Sequence, residues 1–146
     1  MSFSTAIFPT LDRAATKTNN SSATSSVLLV EDDESLADLL KHLLTRMQLR
    51  VVHAPTGALA TKALAEHGAQ ISLAIVDCHL PDSEGGEICS KLRELSPGLP
   101  LLLSSGRDQR SLEALFSASG PCSFLAKPYM PADVMGRVKS MLVRKT

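Results

Sequence analysis

Tryptophan is absent from the 146 residues and tyrosine occurs once, so the chain is poor in the flat platforms on which unpaired bases stack. It also lacks an excess of charge of either sign. Fifteen basic and 15 acidic residues leave it formally neutral, without the basic footprint that a nucleic-acid backbone requires. Nucleic acid is therefore not an expected partner. The three cysteines, Cys78, Cys89 and Cys122, have no metal-ligand spacing, and their odd number fits reduced thiols in a reducing compartment. No apolar run approaches the 18 or so residues that cross a bilayer, and the N-terminus lacks the basic region and apolar core of a secretory leader. The expected compartment is the cytoplasm, with no membrane contact.

What is present suits one globular unit with a real core, since 44% of residues are apolar and 21% charged. Met1 to Ser26 differ from the rest. They are rich in serine, threonine and asparagine, with Asp12, Arg13 and Lys17 as the charges. Such a segment cannot bury enough apolar surface to offset its chain entropy, and it reads as a flexible arm. A short docking or targeting segment is the alternative, because Phe3, Ile7, Phe8 and Leu11 could form a small apolar face.

From Val27 to Thr146 the pattern is that of a folded domain. Short apolar runs occur at Val27–Val30, Val51–Val52, Ser72–Val76, Leu101–Leu103 and Ser123–Ala126, each apolar through both alternating positions, as in strands buried on both faces. Between them lie helical stripes. Leu36, Leu39, Leu40, Leu43, Leu44 and Met47 make the clearest. Ile88, Leu92 and Leu95 make another, then Leu112, Leu115 and Phe116, then Val134, Val138, Met141 and Leu142; Ala58 to His67 supply a weaker one. Five strands alternating with five helices predict an α/β fold, a doubly wound parallel sheet. Right-handed crossovers leave few arrangements, of which the flavodoxin-like (βα)5 order 2-1-3-4-5 fits best.

In such a sheet ligands bind beyond the carboxyl ends of the strands. Those ends carry Glu31, Asp32 and Asp33, then Asp77, then Ser104 and Ser105, then Lys127. The predicted order brings them to one edge. Two carboxylates about 4 Å apart repel by roughly 4 kcal/mol at an effective dielectric near 20. A hard divalent cation with oxygen ligands relieves that repulsion, and magnesium with carboxylates and phosphate oxygens fits best. Asp77 could then serve as a nucleophile toward phosphorus, with Lys127 and a serine hydroxyl neutralising the transferring oxygens. Taken singly, each group has a plainer reading. The acids after the first strand could cap a helix, as Asp33 is expected to do. Asp77 could shape a turn with Pro81 and Gly85, and Lys127 could be a solvated lysine.

The ordered set of motifs resembles the receiver domain of two-component response regulators, over Val27 to about Val143. Leu28-Leu-Val-Glu-Asp-Asp-Glu34 resembles that family's first strand and acidic pair. Ile75-Val-Asp-Cys-His-Leu-Pro-Asp82, with Gly85 following, resembles its phosphoacceptor strand and loop. Pro100-Leu-Leu-Leu-Ser-Ser-Gly106 and Phe124-Leu-Ala-Lys-Pro128 resemble its fourth and fifth strands. The resemblance implies that Asp77 is the phosphoacceptor. Asp32 would hold Mg2+ directly, Glu31 mostly through water, and the His79 backbone carbonyl as a further ligand. It makes Ser105 the switch hydroxyl, with Ser104 as the alternative, and Phe124 the aromatic switch, with a plain core residue as the alternative. Lys127 would pair with the phosphate, and its bond to Pro128 is expected to be cis. The His79 side chain would lie near the entry path, and Cys78 and Cys122 would pack as small apolar residues.

The implied activity is phosphoryl transfer from a sensor histidine kinase or histidine phosphotransfer protein to Asp77, reset by hydrolysis, with no turnover of an external substrate. The added charge would bias a two-state loop and change contacts with an unidentified protein target, a phosphorylation-dependent dimer among them. Because the sequence stops at Thr146, the expectation is a receiver without an output domain, acting as a stand-alone regulator or a phosphorelay intermediate. Two rivals are weaker. A magnesium-dependent phosphatase with an aspartate nucleophile usually has a second acid two residues on, where this chain has His79. A nucleotide-binding module would have a glycine- or hydroxyl-rich loop after the first strand, where this chain has acids.

Overall fold

In the computed structural model, residues 25–80, 82, 85–105 and 120–143 are described. Five strands form one parallel sheet: β1 (Ser26–Val30), β2 (Arg50–Ala54), β3 (Ile71–Asp77), β4 (Leu101–Ser105) and β5 (Cys122–Ala126), in the order β2-β1-β3-β4-β5. Four helices are described: α1 (Glu34–Arg46), α2 (Gly57–His67), α3 (Gly85–Leu95) and α4 (Pro131–Val143), with a 3-10 turn at Gly68–Gln70. This is the expected doubly wound architecture. The stripe at Leu112, Leu115 and Phe116 and the arm up to Thr24 lie outside the described residues.

Alternation along each strand divides the core into two layers. One packs Leu28, Val30, Ala74, Val76, Leu101, Leu103 and Phe124 against Ala60 and Leu64 of α2 and Ile88, Cys89 and Leu92 of α3. The other packs Val27, Leu29, Leu73, Ile75, Leu102 and Leu125 against Leu40 and Leu44 of α1 and Val134, Val138 and Met141 of α4. A sheet covered on both faces needs apolar residues at successive positions, which is why β1, β3 and β4 read as continuous apolar runs. Strand β2 departs from that expectation: Val51, Val52 and His53 are only half-buried. Its place at the sheet edge is the reason. Leu95, expected on the buried stripe of α3, is 47% exposed at the helix end. Cys78 and Cys89 are buried within the first layer and Cys122 packs against it, the apolar role expected of Cys78 and Cys122. None of the described helices is long and apolar enough to cross a membrane.

Helix α1 begins where the sequence places it. The Asp33 carboxylate accepts a hydrogen bond from Leu36 N at 3.1 Å, with Glu34 in the first turn and Arg46 in the last, both favourable to the helix dipole. Its far end closes with Gln48 N donating to Thr45 O at 2.9 Å and Leu49 N to Leu44 O at 3.1 Å. That pattern is a Schellman cap, and it holds Gln48 at φ 65°.

Candidate functional site

Register decides what meets at the carboxyl edge of the sheet. Val30 of β1 stands beside Val76 of β3, so the next residues, Glu31 and Asp77, emerge side by side. Asp77 pairs with Ser104 of β4, and Ser105 pairs with Ala126 of β5, one residue before Lys127. Four strand ends thus converge on one pocket.

Glu31 is 1% exposed and Asp77 3%, whereas Asp32 is open to solvent. Each of the three offers a carboxylate oxygen, and these oxygens lie within 4.8 Å of one another. The Lys127 amine stands 3.3 Å from Asp77 Oδ1 and 3.8 Å from Glu31 Oε1. With all four groups ionised, three acids against one lysine leave the pocket two charges short of neutrality. Glu31 carries the cost. Burial first, and the Asp77 carboxylate second, push its carboxyl up to about 7, against the pull of Lys127 and the Asp33 amide. Its Oε2 accepts from Asp33 N at 3.3 Å, while Oε1 is buried without a hydrogen-bond partner. An orphaned buried carboxylate oxygen beside two further carboxylates is an all-oxygen donor set that suits a hard divalent cation.

The walls of the pocket are pinned by backbone. His79 N donates to Asp77 Oδ1 at 3.0 Å, which fixes the first turn of the loop after β3, and the His79 side chain is exposed. Cys78 N donates to Ser104 O at 2.9 Å, extending the β3–β4 pairing past Asp77. His53 Nε2 lies 2.8 Å from the Glu31 carbonyl oxygen; that oxygen only accepts, so Nε2 carries the proton. The Lys127–Pro128 peptide is cis, the isomer expected.

The structure therefore brings together Glu31, Asp32, Asp77, the His79 N–H and Lys127. Ser105 ends β4 beside them by backbone register, and its side chain lies outside the described part. Phe124 is buried next to Leu103 in the layer beneath. Two polar contacts were not expected from sequence. Tyr129, the chain's one tyrosine, donates its hydroxyl to Ser104 Oγ at 2.7 Å within the core. Asp82, in the loop after β3, accepts from Gly57 N at 2.8 Å and Ala58 N at 3.1 Å at the start of α2. The position of Tyr129, directly after Lys127 and Pro128, was the available signal for the first.

The sequence profile of the response regulator receiver domain matches residues 27–139. The chain belongs to the receiver domain family. This receiver is 31% identical over 121 residues to the transcriptional regulatory protein GltR of Pseudomonas aeruginosa, covering 82% of the chain and 49% of that relative. It is also 31% identical over 118 residues to the alkaline phosphatase synthesis transcriptional regulatory protein PhoP of Bacillus subtilis, covering 81% and 48%. The receiver thus spans about half the length of these relatives. Among solved structures, a CheY-like response regulator receiver domain protein from Methanospirillum hungatei superposes with a TM-score of 0.76 at 25% identity, over 84% of this chain and 96% of that one. A receiver domain protein from Clostridium thermocellum has the same fold, with a TM-score of 0.77 at 20% identity over 83% and 96%.

Proposed function

We propose that this receiver accepts a phosphoryl group on Asp77 from a phosphohistidine, and that the modification switches its contacts with another protein. One observation carries the reading: a buried Asp77 carboxylate touched by a lysine amine and flanked by Glu31, whose Oε1 has no hydrogen-bond partner. An Asp77 oxygen attacks phosphorus; the new P–O bond forms as the bond from phosphorus to the donor's imidazole nitrogen breaks, and the imidazole leaves with that electron pair. Lys127 stabilises the phosphoryl oxygens and the His79 N–H holds Asp77 in orientation. Mg2+, held by Asp32, Asp77, the His79 carbonyl and, through water, Glu31, would neutralise the remaining charge on the transferring group. Hydrolysis of the acyl phosphate returns the chain to its starting state, so it turns over no substrate but itself.

Phosphorylation adds about −1.5 to −2 charges beside the Lys127 amine. The hydroxyl of Ser105 would be drawn to the phosphoryl oxygens, with Phe124 repacking behind it. A sensor histidine kinase or a histidine phosphotransfer protein is the proposed donor, and the cytoplasm, where thiols stay reduced, the proposed compartment. The two curated relatives are about twice the matched length, whereas the solved receiver from Methanospirillum hungatei is covered to 96%. The test is incubation with acetyl phosphate and Mg2+, followed by mass spectrometry of the digested chain. One phosphoryl group on the peptide containing Asp77, lost in Asp77→Asn, is the expected result. A label at another residue, or none, overturns the reading.

A further inference from the structure

The two segments that bear on the phosphoryl group in this reading are joined by one side-chain hydrogen bond. Ser104 sits immediately before Ser105, stands between Asp77 and Leu125 in register, and is 1% exposed. Tyr129 follows the cis Lys127–Pro128 pair and is 8% exposed. Its hydroxyl reaches Ser104 Oγ at 2.7 Å. The end of β4 and the segment that aims the Lys127 amine are thereby held to each other from inside the core.

The pair has apolar residues on one side and the Glu31 and Asp77 carboxylates on the other. Leu102, Leu125, Val134 and Val138 belong to the same layer as the tyrosine ring, and a Phe–Val pair would fill similar space without any polar atom. A hydrogen bond differs from such packing in being directional, and its strength falls steeply when the donor and acceptor shift. Backbone pairing fixes β5 against β4 as far as Ala126, and beyond it the bond from Tyr129 fixes the segment that follows Lys127. The phenol is also close enough to the Glu31 and Asp77 carboxylates that their charges join burial in holding its proton on.

We propose that Tyr129 and Ser104 are positioning residues for phosphoryl transfer, their buried bond holding the Lys127 amine and the Ser105 position on one phosphoryl group. The proposal rests on Asp77 being the acceptor. Neither residue supplies a carboxylate to the candidate metal site, whose acids lie on Glu31, Asp32 and Asp77. Loss of the bond should then slow transfer while leaving metal affinity in place, a separation that general loosening of the pocket would not produce.

The experiment uses the full chain and compares wild type with Tyr129→Phe, Ser104→Ala and the double variant. The rate of phosphorylation is followed by intact mass at several acetyl phosphate concentrations with saturating Mg2+, and Mg2+ affinity is measured separately by calorimetry. Each single variant is expected to lower the maximal rate about tenfold, since a small misplacement of a catalytic group is enough. Half-saturating donor concentration and Mg2+ affinity should stay within about twofold, and the double variant should be no slower than the singles, because both remove the same bond. An undiminished rate in Tyr129→Phe, additive losses in the double variant, or Mg2+ affinity falling in step with rate each overturns the inference. Should Tyr129→Phe fail to fold, Ser104→Ala alone decides by the same rate and affinity criteria. A wild-type chain that takes no phosphoryl group sinks the acceptor reading and this inference together, whereas a labelled wild type with an unimpaired Tyr129→Phe sinks only the latter.

Discussion

Lys127 Nζ stands 3.3 Å from Asp77 Oδ1, and the same amine is 3.8 Å from Glu31, so one cation is shared by two buried carboxylates. Strand order sets the stage. β5 is two strands away from β3, and the Lys127 side chain, at the end of β5, reaches across the end of β4 to the acid. An arrangement that leaves carboxylates outnumbering lysines is poised for a cation and for a transferring anion in turn.

Removing that amine separates the two tasks. Lys127→Ala should retain Mg2+ binding, since the acids are untouched, while weakening the structural response to phosphorylation. Two buried acids losing their cation should also lower stability by about 1–3 kcal/mol, less than for a fully buried pair because the lysine is 24% exposed. Chemical denaturation at pH 8 reads the second effect. Amide exchange of the phosphorylated form reads the first, and an exchange pattern like that of phosphorylated wild type would remove Lys127 from the switch.

The raised Glu31 carboxyl makes the metal-free fold respond to pH in an unusual sense. Its folded value of about 7 lies above the ordinary 4.5, so the folded state binds the proton more tightly than the unfolded chain. Stability should therefore rise as pH falls through 7 toward 4.5, and the destabilisation should be complete above 7. Between pH 8 and pH 6 in a chelator the gain from this one group is about 1 kcal/mol. Asp77, Asp32 and Lys127 face the same pocket, and Glu31→Gln isolates the contribution by abolishing it. A wild type whose pH dependence matches that of Glu31→Gln would refute the assignment. Mg2+ competes with the same proton, so its affinity should weaken below pH 7.

A second stability test lies at the other end of α1. Gln48 holds φ 65° to complete the Schellman cap, and its side chain is exposed. A side chain bearing a Cβ is disfavoured there by roughly 1–2 kcal/mol, part of which glycine returns through its greater freedom in the unfolded chain. Gln48→Gly is expected to stabilise by about 0.5–1 kcal/mol in thermal or denaturant unfolding. A loss of stability would mean that the glutamine makes a contact worth more than the strain.

The sheet and its acidic edge were legible because burial on both faces leaves a mark at every position of β1, β3 and β4. That mark fades at an edge, which is why β2 showed only Val51 and Val52 although five residues pair. Asp33 was readable as a cap because its partner is three residues away. The Tyr129–Ser104 bond and the Asp82 contacts span about 25 residues and follow no period, so no spacing pattern pairs their partners. Ser104 shows the difference well. Weighed as an alternative switch hydroxyl, it accepts a hydrogen bond from a buried phenol.

The Asp82 contacts tie the acceptor loop to a helix that carries none of the pocket's residues. At the start of α2, the Thr56 hydroxyl accepts from Leu59 N at 3.1 Å, and Asp82 takes the amides of Gly57 and Ala58. The first three orphan donors of the helix are thus satisfied, two of them by a residue five positions beyond Asp77. A carboxylate at a helix N-terminus also meets the positive end of the dipole. Asp82→Ala should cost about 1–2 kcal/mol, less at high salt, and Asp82→Asn should cost a smaller amount because one amide oxygen still accepts. Hydrogen exchange at Gly57 and Ala58 should quicken in Asp82→Ala while that of Leu59, capped by Thr56, changes least. If all three amides quicken equally, the helix start frays as a unit and the clamp is not local. If none does, the loop carboxylate is not what holds α2 in place.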